Sequence, residues 1–103
     1  MEPELSGTWY VLEGEPGEHL VVEALGKRLS GIWTDSALAE AFLAHHGELG
    51  MRVSPLESRA LKEAFLRALR MLQVEAVLLD YRPGVHRARV VKVEDLLEEV
   101  RHA

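Results

Sequence analysis

The stretch VEAVLLDY, residues 74–81, most limits what this chain can fold into. A strand with one wet face alternates apolar and polar side chains, whereas Val74 and the run Ala76 to Leu79 show no clean alternation. That pattern predicts a central strand covered on both faces. Such a strand needs neighbours on both edges and at least one covering layer. The rest of the chain must therefore supply further strands and amphipathic helices, as an α+β domain does.

A covering helix lies immediately upstream. Leu61, Ala64, Phe65, Ala68, Leu69 and Leu72 recur at helical spacing, while Lys62, Glu63, Arg67 and Arg70 fall toward the other side. SPLE, residues 54–57, reads as its start: Ser54 as N-cap, Pro55 at the first helical position, Glu57 completing a capping box. Arg59 with Glu63, and Glu63 with Arg67, stand four apart and can pair.

The other elements follow from local signals. TWYVL (8–12) and HLVVEAL (19–25) flank the Pro16-Gly17 turn and predict a hairpin, with RLSGIW (28–33) as a third strand after Gly26. Leu38, Ala41, Phe42 and His45 predict a helix over 35–46, capped by Thr34 or Asp35 and closed by Gly47. LGMRV (49–53) reads as a short strand, placed to lie parallel with the one around Val77. After the Pro83-Gly84 turn come a strand with one wet face, RARVVKV (87–93), and a helix over 94–101 with Leu96, Leu97 and Val100 inward. The expected architecture is α+β: a mixed β-sheet with an N-terminal antiparallel meander, two main helices and a short C-terminal helix, the helices mainly on one face. One domain over residues 1–103 is expected, a length that can bury a sufficient core.

Charge and composition narrow the function classes. Residues 1–26 hold six glutamates and no Lys or Arg, so the net charge of −5 is an N-terminal property. That argues against nucleic-acid binding by the whole surface. No cysteine is present, which removes disulfides and thiolate chemistry and suits a cytoplasmic setting. The opening MEPELSGTWY does not read as a secretory signal, and no apolar run approaches a membrane span. One Gln and no Asn fit a thermophilic source, though genome base composition produces the same bias.

Reactive groups are sparse. His45 and His46 are adjacent on a helix without HExxH spacing, and suit the carbonyl end of a helix dipole better than a metal. GxSxG and phosphate-binding glycine loops are missing, and Ser54 is explained as a cap. Asp80 stands alone as an acid at the end of the predicted central strand. Neither metal nor cofactor is expected.

Trp33-Thr34-Asp35-Ser36, the helix bearing Phe42, and Ala76-Val77-Leu78-Leu79 running into Arg82-Pro83-Gly84 resemble the N-terminal domain of the SseB-like family. Arg82 stands where that family's turn has Asn, and the chain is shorter than many relatives. The resemblance implies a small α+β domain with secretion-related or protein-interaction roles and supplies no catalytic residues.

The leading expectation is a non-enzymatic domain that binds proteins or itself as a dimer, with Trp9, Tyr10 and Trp33 at the interface. The second is an anion or nucleic-acid module using Arg82, His86, Arg87, Arg89 and Lys92, a basic cluster in an otherwise acidic protein. The third is a hydrolase-like enzyme using Asp80 and His86.

Overall fold

A computed structural model describes residues 3–24, 26–47, 50–85 and 88–102. Its elements run α1 (Pro3–Ser6), β1 (Trp9–Glu13), β2 (Val22–Ala24), β3 (Lys27–Ile32), α2 (Ser36–His46), β4 (Arg52–Leu56), α3 (Arg59–Met71), β5 (Ala76–Leu79), β6 (Arg89–Lys92) and α4 (Val93–His102). The fold is α+β with a mixed sheet of order β2-β3-β5-β6: β3 and β5 are parallel, and the outer pairs antiparallel. The apolar run of β5 sits in the interior of that sheet, as its lack of alternation demands.

The N-terminal meander is present. Between β1 and β2 the chain reverses through Pro16 and Gly17 (φ +84), closed by the Gly14 N–H donating to Glu18 O at 3.0 Å, with one bridge, Glu13 to His19. β1 then pairs along its length with β4, so the two form a second, antiparallel sheet. Tyr10 joins the sheets by exchanging both backbone hydrogen bonds with Trp33, at 2.7 and 2.9 Å.

That junction accounts for a departure from expectation at SPLE. Ser54 and Pro55 are strand residues of β4, paired with Val11 and Tyr10, and α3 starts four residues later with Ser58 as N-cap. Tyr10 spends its N–H and C=O on Trp33, so its pairing with Pro55 needs no hydrogen bond and the missing proline N–H costs nothing. Leu56 is thereby buried in the core, and the Ser58 hydroxyl accepts the Leu61 N–H at 3.1 Å. The strand expected at 49–53 lies instead at 52–56, antiparallel to β1; the parallel partner of β5 is β3.

α3 and α4 cover one face of the four-stranded sheet. Phe65, Leu66 and Leu69 of α3 and Leu96, Leu97 and Val100 of α4 enclose Ile32, Val77 and Leu79, together with Trp9 and Val11 of β1. The buried side of α3 is rotated from the one read in the sequence. Leu61 is 49% exposed, and Lys62 is buried, with its Nζ 4.9 Å from the Trp9 ring centre and 3.5 Å from the carbonyls of Leu5 and Ser6. Burial lowers the Lys62 pKa. On the wet side, Glu63 accepts from Arg67 at 3.0 Å and from Arg101 at 3.4 Å, which ties α3 to α4 and lowers the Glu63 pKa.

A smaller cluster sits elsewhere. α2 packs Ala39 and Phe42 against Leu12, Leu20 and Trp33. Asp35 caps α2 by accepting the Ala37 N–H at 2.8 Å, and Gly47 (φ +66) ends it with an N–H to Leu43 O.

Candidate interaction surface

The cross-strand register decides which side chains face away from α3 and α4. Neighbours in register share a face, so Ser30, Val77 and Val91 lie on the helix side, and Val22, Leu29 and Ala76, then Gly31, Leu78 and Val90, lie on the other. Among the described residues no helix covers the whole of this second face; α2 reaches only one end of it. Val22, Ala24, Leu29, Gly31, Leu78 and Val90 form the floor of a groove of about 390 Å³. Trp33, Phe42, His46 and Tyr81 wall one end, and the lining is almost wholly carbon.

The wall is assembled from α2 and the residues that follow β3 and β5. Phe42 of α2 lies 5.1 Å from the Trp33 ring, 5.9 Å from Tyr81 and 4.1 Å from His46. The Trp33 Nε1–H donates to Tyr81 O at 2.9 Å, fixing the indole. Gly31 makes room for it: a Cβ at that position would stand 2.6 Å from the Trp33 ring. Behind the wall, Asp80 (φ +52) accepts the Thr34 N–H at 2.7 Å and the Thr34 hydroxyl at 2.8 Å.

Charge on this face has one sign. Among the strand positions that look onto the groove, only Lys27 and Lys92 are charged, and both lie toward the end away from the aromatic wall. Val90, 57% exposed, borders the groove on β6, the edge strand.

The expected site residues separate when placed on this frame. Trp9 is fully enclosed, its Nε1–H donating to Leu5 O at 2.9 Å, so it offers no surface to a partner. Tyr10 is half-buried against the second cluster, and Trp33 belongs to the groove wall. Arg82 is exposed in the turn after β5, which Gly84 (φ +84) permits. Arg89 and Lys92 are three apart on a strand and project from opposite faces, so the basic segment does not converge on one strand face. His86 and Arg87 lie outside the described residues, and with them the Asp80–His86 pairing. Among the described residues no group of three His, Cys, Asp or Glu is placed to hold a metal, and no helix is long and apolar enough to cross a membrane.

Sequence reasoning missed Gly31, Leu78 and Val90 as surface formers. Val90 adjoins Val91 in the strand RARVVKV, yet of these two only Val91 packs against the core. The available signal was arithmetic: α3 and α4 suffice for one sheet face, and the remaining long helix, α2, is engaged with β1 and β4.

Fold and surface together define a small α+β domain in which, among the described residues, an apolar groove on one sheet face lies beside the edge strand β6. The chain belongs to the family described as protein of unknown function (DUF3234), whose model matches residues 6–97. This replaces the SseB-like resemblance: the motifs that suggested it, a capped helix start after Trp33 and a Pro-Gly turn after an apolar strand, are general devices of chain reversal rather than family markers. No curated protein matches the chain.

Proposed function

We propose that this is a non-catalytic interaction domain that binds proteins through the uncovered face of the β2-β3-β5-β6 sheet. The observation that carries the reading is the groove itself: an almost wholly apolar floor, with Val90 left 57% exposed at its border. A non-catalytic role is supported by Asp80, whose two carboxylate oxygens are both engaged by Thr34. The setting proposed is a reducing compartment such as the cytoplasm, which a cysteine-free chain suits. Self-association through the same face is the form of binding that the purified chain can display alone.

Two measurements test this. Sedimentation equilibrium reads self-association, and a photo-crosslinking residue at position 78, compared with one at position 98 on α4, reads contact with other proteins. Contact at position 78 and not at 98, suppressed when Val90 is changed to Glu, is the expected result. A strictly monomeric chain with equal, non-specific labelling at both positions overturns the reading.

A further inference from the structure

From the backbone of β6 we infer that the domain takes its partner by strand addition, as an extended acidic segment laid antiparallel along β6; this rests on the interaction reading above. The direction of the backbone groups follows from two hydrogen bonds. The Asp80 N–H donates to Ile32 O at 2.9 Å, so the even-numbered residues of β5 turn toward β3 and the odd-numbered ones toward β6. Leu79 and Val77 stand opposite Arg89 and Val91, and the Val93 N–H continues the series to Glu75 O at 2.9 Å. Val90 therefore turns both its N–H and its C=O to the open side of β6, and Lys92 turns its N–H there. One antiparallel residue pair can form on Val90 without breaking any bond of the sheet.

The opposite edge offers less. Trp33 turns toward β1, on the β2 side, so β3 meets β2 through Leu29 and Lys27, and only Glu23 of the three-residue β2 turns outward. A short acidic edge is the poorer template.

Charge selects the occupant. β6 carries Arg89 and Lys92 in a chain of net charge −5. Pairing β6 with its own copy through Val90 gathers two arginines and two lysines in one ribbon, and charged side chains on an edge strand disfavour edge-to-edge pairing. A segment from another protein avoids this when an acid faces Lys92, which with Lys27 makes the groove face cationic. Read antiparallel, opposite Lys92, Val91 and Val90, the favoured order is acid, any residue, apolar. The apolar residue falls on the groove side and covers Val90, and the acid meets Lys92 on the same face.

The test uses the isotope-labelled chain and a blocked eight-residue peptide containing glutamate, threonine and valine in that order, with a control in which lysine replaces the glutamate. The acidic peptide is expected to bind about tenfold more tightly than the control and to slow hydrogen exchange at the Val90 and Lys92 amides. Val90→Pro removes the outward N–H while leaving the β5 bonds intact, and is expected to abolish binding. Lys92→Glu keeps the N–H and is expected to erase the preference for the acidic peptide. Equal binding of both peptides, or binding without protection of those amides, overturns strand addition, as does pairing of β6 with β2 of a second copy, seen as open-ended assemblies. If the crosslink at position 78 persists in Val90→Pro, strand addition fails while the broader interaction reading stands.

Discussion

Thr34 occupies both carboxylate oxygens of Asp80, through its N–H to Oδ1 at 2.7 Å and its hydroxyl to Oδ2 at 2.8 Å. The contact locks the end of β5 to the end of β3, next to the Trp33–Tyr81 hydrogen bond that holds the groove wall. Asp80→Ala is expected to cost about 2–3 kcal/mol in urea unfolding, from lost hydrogen bonds to a charged acceptor and an alanine forced to φ +52. Asp80→Asn keeps one acceptor and loses less. A change below about 0.5 kcal/mol for the alanine variant removes the clamp.

Gly31→Ala puts a methyl group where the Trp33 ring lies, 2.6 Å from its nearest carbon. The expected cost is about 1–3 kcal/mol, accompanied by a shift in tryptophan emission as the indole is displaced. Unchanged emission and stability place the ring elsewhere.

Lys62 is expected to make stability rise at alkaline pH. Burial holds its pKa below the ordinary 10.5, so between the lowered value and 10.5 the unfolded chain binds more protons than the folded one. The penalty for burying the charge is full below that window and is relieved as pH rises through it. Chemical denaturation from pH 7 to 10.5 is expected to show this rise against Lys62→Met, which lacks it and is more stable at pH 7. Parallel pH profiles for the two chains exclude the effect.

Ser58→Ala is expected to destabilise by about 1 kcal/mol, because it removes the acceptor for the Leu61 N–H at the start of α3. Ser54→Ala, in β4, is expected to stay within about 0.5 kcal/mol. The reverse order would restore the helix start to SPLE.

The same pair of serines shows what was legible in the chain. The central position of β5 was readable because burial on both faces leaves a local trace, an unbroken apolar run. Asp35 and Gly47 were readable because helix ends are built from adjacent residues. The SPLE reading failed because a capping box is local whereas the role of Pro55 is decided by Tyr10, which itself is decided by Trp33. Lys62 was placed in water because helical spacing identifies a face only to within a residue or so, and Trp9, which draws the lysine inward, arrives from far away in the chain. The groove shares that cause: it is defined by which sheet face the helices leave uncovered, and no short stretch of sequence carries that information.

The interleaving of strand partners governs how the protein can be made. β1 waits for β4, and β3 waits for β5, while α2 lies between them. A growing chain that has emerged only as far as α2 therefore holds β1 and β3 with neither long-range ladder formed. The β2–β3 hairpin alone is too short to stand in water, so the parallel ladder of β3 with β5 closes only after β5 has emerged. Until then, the valines and tryptophans of the first third of the chain are flanked by its six glutamates, like charges of the kind that oppose association of exposed apolar segments.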